Sequence, residues 1–295
     1  MDSGKLSFYR NMGGFAFPGL LVAAAVVLLI AGLIGTILVL SLTGHDLSSP
    51  VSLDFFKLHK DKIAVIYIQG QMVADRGTNE EKVACSSDIV KYLRKATDDE
   101  DVKAVVLRIN SPGGTPVAAE EIILQINKTR KSKPVVVSMG DMATSAAYFV
   151  SSATDRVVAY PDTFTGSIGV IWVFKNRSKY YNDEGINFYV AKSGNFKDLG
   201  SDWRGLSDDE KDYVQDIVNE SYNRFVRSVA RGRNLSEDYV RSVADGRIYT
   251  GTRAKEMGLV DDLGGLYDAI AVAQKLAGVK GKPQIVYMNE PSVKA

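Results

Sequence analysis

From Asn11 to Gly44 the chain carries no charged residue, and the apolar centre of this stretch, Leu20–Leu42, is 23 residues long. As a helix it would measure roughly 34 Å at ~1.5 Å per residue, enough to cross a hydrocarbon layer of ~30 Å. A cleavable leader has a shorter apolar region, typically ~7–15 residues, closed by small residues. This run is longer and closes on Ser41-Leu42-Thr43-Gly44. The pattern therefore predicts an uncleaved transmembrane anchor over 15–43. Lys5 and Arg10 precede it, and no Lys or Arg follows until Lys57. The positive-inside rule puts residues 1–14 in the cytoplasm and the bulk of the chain on the outer side of the cell membrane. Pro50 and the surrounding Ser and Asp residues read as part of a linker over 44–61.

Beyond the linker the periodicity alternates. Lys62–Ile68, Val102–Ile109, Pro134–Gly140 and Asp155–Tyr160 are short β-branched runs. Between them, Ser86–Ala96, Val117–Lys128 and Met142–Ser151 read as helices. Continuous apolar strands separated by helices predict an α/β domain with a parallel-sheet core. Ser207 and Glu210 form a capping-box signature. The helix behind it carries an apolar stripe from Tyr213 to Val229, suited to the core or a subunit contact, and Gly232 is expected to end it. Shorter helices follow at Ser236–Ala244 and Tyr267–Leu276. One domain over 62–279 and a loosely held C-terminal tail over 280–295 complete the expected organisation.

Composition narrows the chemistry. The 36 Lys+Arg balance 35 Asp+Glu, leaving a net charge of +1 and no electrostatic case for binding nucleic acid. With one cysteine, Cys85, and two histidines, His45 and His59, there is no spaced ligand set for a metal, and no cofactor motif is present. A Ser-His-Asp triad would need a histidine from the N-terminal stretch.

Two strand–turn–helix junctions remain as candidate chemistry. Asn110-Ser111-Pro112-Gly113-Gly114 follows one buried strand, and Gly140 to Ala147, containing Ser145, follows the next. Neighbouring parallel strands place their carboxyl ends on one edge, where ligands collect. Paired glycines let backbone N–H groups approach a substrate oxygen. A serine opposite them suits acyl transfer with an oxyanion hole. Taken singly, Ser-Pro-Gly-Gly is usually a turn and a serine at a helix start usually a cap. With histidine nearly excluded, the base for such a serine would be a lysine. Its free pKa of ~10.4 must fall towards ~7–8, about 4 kcal/mol, which burial alone can supply.

These residues resemble the signal peptide peptidase A family, membrane-anchored Ser/Lys proteases of the Clp protease–crotonase fold superfamily. The resemblance covers roughly Ile63 to Ala277. It rests on Asn110–Gly114 (NSPGG), Met142–Tyr148 (MATSAAY), Thr165–Val170 (TGSIGV), Lys192–Asp198 (KSGNFKD) and Gly246–Leu263, in that order. It implies Ser145 as nucleophile, Lys197 as base, Ser167 as a hydrogen-bonding support for the lysine amine, and oxyanion donors among the amides of Gly113, Gly114 and Ala146. Many relatives have two glycines after the nucleophile where this chain has Ala146 and Ala147. The amide donor survives, while the methyl groups narrow the neighbouring space. The resemblance also implies cleavage of remnant signal peptides or similar apolar peptides beside the lipid bilayer. It further implies a ring-shaped homo-oligomer, an octamer, whose sites draw on neighbouring protomers. A crotonase-type acyl-CoA hydratase or isomerase and a non-catalytic membrane scaffold are the alternatives.

Overall fold

The computed structural model describes residues 27–32, 60–75 and 83–289. The chain divides into two units, Met1–Leu58 and His59–Ala295. In the first, residues 27–32 are helical and exposed. The rest of the anchor expected over 15–43 lies outside the described residues, as do His45 and His59. Among the described residues no helix is long and apolar enough to cross a membrane.

The second unit is built on a sheet whose main path is parallel throughout. Its strands are β1 (Lys62–Gln69), β4 (Val102–Ser111), β5 (Val135–Thr144), β6 (Arg156–Ala159), β9 (Asp262–Leu263) and β10 (Gln284–Tyr287), in the spatial order β10-β1-β4-β5-β6-β9. Alternating side chains of these strands supply two cores. Ala64, Ile66, Val105 and Leu107 face one layer, together with Ile122, Tyr148 and Val226. Ile63, Val65, Ala104 and Val106 face the other, against Ala269, Ile270 and Ala273 of α8 (Leu266–Leu276). Both faces are covered, which is why the strands read as unbroken apolar runs. The first layer contains α1 (Ser86–Asp98), α2 (Pro116–Thr129), α3 (Ala146–Ser152) and α5 (Asp208–Arg233). The tail over 280–295, expected to be loosely held, contributes β10 at the sheet edge, paired in parallel with β1 and with Ile285 packed against the second core.

Two departures from the sequence expectation bear on the site. The helix expected from Met142 begins only at Ala146, because β5 continues through Thr144. Its first half pairs with β6. Its second half, Met142–Thr144, pairs with β7 (Phe164–Gly166), so a partner 22 residues away overrides the local pattern. A register shift between β4 and β5 accommodates the extension: Ile109 lies opposite Met139, but Ser111 lies opposite Ala143. Asn110 staples this irregularity by accepting from the Met142 amide at 3.1 Å and donating to Asp141 at 3.0 Å.

The second departure is Gly232, which lies inside α5 rather than ending it; Asn234, at φ 53°, is the left-handed cap. Gly232 is where α5 meets the end of α3, and a β-carbon there would stand 1.8 Å from the Ser152 carbonyl oxygen. Alongside this contact, Arg233 donates to Asp261 at 2.8 Å, both largely buried, and Asp261 also accepts from the Val157 amide at 2.7 Å. This pair fastens the end of α5 to the sheet. In an exposed helix interior, Gly→Ala stabilises by roughly 1 kcal/mol. Here Gly232→Ala is expected to destabilise by about 1–3 kcal/mol through overpacking, read as a lower urea midpoint at unchanged m-value.

Candidate active site

Ser145 occupies the corner between β5 and α3 with φ 54° and ψ −124°, a conformation that side chains rarely adopt. Three described non-glycine residues have positive φ: Ser145, Ser167 and the cap Asn234. Two of the three are therefore serines singled out from the sequence. The Ser145 corner is held from both sides. Its amide donates to the Gly166 carbonyl of β7 at 2.9 Å, and its carbonyl accepts from the Phe149 amide at 2.9 Å. Thr144 Oγ1, one residue earlier, donates to the Pro112 carbonyl at 3.0 Å, tying the corner to the Asn110–Gly114 turn. Ser145 Oγ has no hydrogen-bond partner among the described residues, leaving it available to an incoming group.

Opposite the serine stand the paired glycines. Gly113 has φ 104°, and a β-carbon there would lie 2.9 Å from Ser145 Cβ and from the Ala146 nitrogen. Its own amide is taken internally, donating to Ser111 Oγ at 3.1 Å. Gly114 forms a parallel bridge with Met72 of β2 (Gln71–Val73). In that bridge Met72 donates to the Gly113 carbonyl at 2.8 Å and accepts from the Thr115 amide at 3.0 Å. The bonds fall on the residues either side of Gly114, so its own N–H points away from β2. Ala146 is the first residue of α3, where an N–H has no partner within the helix. The Gly114 and Ala146 amides are thus two donors without a partner among the described residues, and both residues line the same cleft as Ser145.

Ser167 lies in the turn after β7, with its amide donating to the Arg247 carbonyl at 2.8 Å. β8 (Ile248–Thr250) runs antiparallel to β7 and secures this turn. Ser145, Ala146, Ser167 and Gly114 line one cleft of about 600 Å3, whose other wall includes Tyr222 and Phe225 of α5. Sequence reading placed these two rings in the core or at a subunit contact. Their helical spacing says nothing of the cleft that α5 closes.

Lys197 does not line that cleft; it is exposed in the turn 195–200. Its neighbours, by contrast, are firmly held. Asp198 accepts from Lys192 Nζ at 2.8 Å and from both Arg204 Nη2 at 2.7 Å and Nε at 3.0 Å. Arg204 in turn forks onto Glu210, at 2.6 and 2.7 Å. Glu210 completes the capping box with Ser207 at the start of α5. Of this group the sequence showed the Ser207–Glu210 spacing and the Lys192–Asp198 motif, but not Arg204, which joins them. Arg204, followed by Lys192, holds the Asp198 carboxyl well below the usual carboxylate range. Arg204 and the Ser207 amide bring Glu210 down to about 2. Such depressed groups stabilise the fold above their unfolded value of ~4, and that contribution is lost as pH falls through about 2 for Glu210. Both carboxylates are therefore ionised throughout the neutral range.

A buried parallel sheet, a serine at a strained strand–helix corner and unengaged amides beside it suit acyl transfer, and two family matches make the chain a serine peptidase with a Clp-protease-like domain. Residues 60–163 match the Clp protease family. Residues 127–280, just over half the chain, match peptidase family S49, and the chain belongs to that family. It is 36% identical over 254 residues to "Putative protease MJ0651" of Methanocaldococcus jannaschii, covering 85% of this chain and 79% of that protein. To "Putative signal peptide peptidase SppA" of Enterococcus faecium it is 34% identical over 233 residues, covering 78% and 67%. It is 36% identical over 217 residues to "Protease 4" of Haemophilus influenzae, covering 73% of this chain but spanning only 35% of the relative's length.

Placing a methyl group on Gly114 would bring it 2.0 Å from the Met72 carbonyl oxygen and force the bridge apart. Gly114→Ala is expected to lower kcat for peptide hydrolysis by about 10²-fold or more, the usual cost of losing one oxyanion donor. Steady-state kinetics on a fluorogenic apolar peptide check this, and a wild-type rate would remove Gly114 from the site.

Proposed function

We propose that this chain is a membrane-anchored serine endopeptidase with a Ser145/Lys197 dyad, acting on remnant signal peptides or similar apolar segments. The observation that carries the reading is the strained Ser145 corner, whose hydroxyl has no partner among the described residues and shares one cleft with Gly114 and Ala146, whose amides also lack one. No histidine occurs after His59. Lys197 takes the proton from Ser145 Oγ as the oxygen attacks the peptide carbonyl. The Gly114 and Ala146 amides bind the resulting oxyanion. Lys197 then gives its proton to the leaving amine, and water hydrolyses the acyl-enzyme by the same route. Ser167 holds the lysine amine by a hydrogen bond. The methyl of Ala146 and the rings of Phe149 and Phe225 in the cleft lining support a preference for small apolar side chains at the cleavage site.

Two features support a site completed between protomers of a homo-oligomer. Lys197 is exposed and away from the cleft of its own chain. The arm that leads to it displays Ile171 at 86% and Tyr189 at 96% exposure, apolar surface in need of a cover. The uncharged stretch from Asn11 to Gly44 supports a single anchor with the peptidase domain on the outer side. That arrangement puts the site beside substrates left in the bilayer.

The two halves of the dyad make this testable. Ser145→Ala and Lys197→Ala are each expected to abolish hydrolysis of a fluorogenic apolar peptide. When the two inactive full-length variants are mixed and reassembled in detergent, about one quarter of the sites regain both residues, and activity returns to that level. Absence of recovery in a reassembled oligomer would confine the dyad to one chain; normal turnover by Lys197→Ala would end the dyad assignment.

A further inference from the structure

Lys197 sits between two anchored residues. On one side, the Phe196 ring packs edge-on against Tyr213 of α5, with centroids 5.3 Å apart. On the other, Asp198 is gripped by Lys192 and Arg204. The loop is closed internally as well: Lys192 Nζ donates to the Asn195 carbonyl at 2.9 Å, and the Lys197 amide to the Gly194 carbonyl at 3.1 Å. Asp198 and Glu210 are nearly buried, at 9% and 4% side-chain exposure, although the arm around them is largely open to solvent. A carboxylate held this far from solvent by three charge-assisted hydrogen bonds fixes the turn around it. It holds one exposed lysine at a defined point with a defined neighbour.

We infer that Asp198, pinned by Lys192 and Arg204, is a positioning residue that fixes the reach of Lys197 and sets the charge its amine faces. This rests on the reading of Lys197 as the general base. The bracket comprises two cations, Lys192 and Arg204, and two anions, Asp198 and Glu210, so its net charge is zero. Other charged groups nearby are already paired: Asp208 with Lys211 at 2.7 Å, and Asp202 with Tyr181 Oη at 3.1 Å and Arg177 at 3.8 Å. Asp209 completes the acidic first turn of α5. Removing the Arg204 charge leaves a net anion next to Lys197, which favours its protonated form. Neutralising Asp198 leaves a net cation, which disfavours it.

The two changes therefore move the acidic limb of the activity in opposite directions, which a purely structural role would not do. The measurement is the rate constant for fluorophosphonate labelling of the full-length protein in detergent as a function of pH. Arg204→Met is expected to move the limb up by about half a pH unit, the effect of one unit charge through solvent-accessible surroundings. Asp198→Asn is expected to move it down by a similar amount. Arg204→Lys keeps the charge but loses the fork, so labelling slows while the limb stays at its wild-type position. Limbs that stay put in Arg204→Met and Asp198→Asn, or that shift the same way in both, overturn the inference. So does a limb that moves as far with Arg204→Lys as with Arg204→Met. Lys197→Ala is the control: undiminished labelling of that variant defeats the dyad itself, whereas its loss alongside unmoved limbs defeats only the role of Asp198.

Discussion

A β-carbon on Gly113 would stand 2.9 Å from Ser145 Cβ, and one on Gly114 would stand 2.0 Å from the Met72 carbonyl oxygen. The turn from Asn110 to Gly114 is thus pressed between the Ser145 corner on one side and β2 on the other, with no room for a side chain at either glycine. Everything else in the site follows from this contact. It brings bare backbone to the serine, leaves the Gly114 amide directed away from β2, and puts Gly114 in one cleft with Ser145 and Ala146. Strain at Ser145, with its φ of 54°, is held in place by the Gly166 carbonyl, the Phe149 amide and the Thr144–Pro112 bond together.

The sheet supplies that contact with its precision. β4 and β5 are adjacent and parallel, so their C-terminal turns emerge side by side. The register shift after Ile109 lets β5 run on to Thr144, where it takes β7 as a second partner. That places the Ser145 and Ser167 turns at the ends of adjacent strands. On the proposed reading, the nucleophile, the oxyanion donors and the supporting serine come from three strand ends of one rigid layer. The lysine-bearing loop belongs to a different kind of structure, an open arm braced by ions rather than by apolar packing.

Legibility in the sequence divides along the same line. The strands could be read because buried parallel strands leave unbroken apolar runs, and the paired glycines and Ser145 stood out only as the turns that follow them, their roles being implied by the family resemblance. Where β5 stops could not be read. Met142-Ala143-Thr144 suits a helix locally, and only pairing with β7 makes it strand. Gly232 was misleading for a similar reason: a helix-ending residue by type, it instead gives α3 room to approach. Lys192, Asp198, Arg204 and Glu210 share no periodicity, so their convergence is a property of the folded turn. Tyr222 and Phe225 were visible as an apolar stripe, but which of that stripe's neighbours is a cleft depends on tertiary packing.

The central claim is that the oxyanion formed when Ser145 attacks a carbonyl is bound by the amides of Gly114 and Ala146. A crystal structure of the full-length protein after reaction with a fluorophosphonate tests it most directly, because the adduct places a phosphonyl oxygen where the oxyanion forms. The account predicts phosphorus bonded to Ser145 Oγ, with that oxygen about 2.7–3.1 Å from both amide nitrogens. An adduct on another serine, or a phosphonyl oxygen turned away from Gly114 and Ala146, would contradict it.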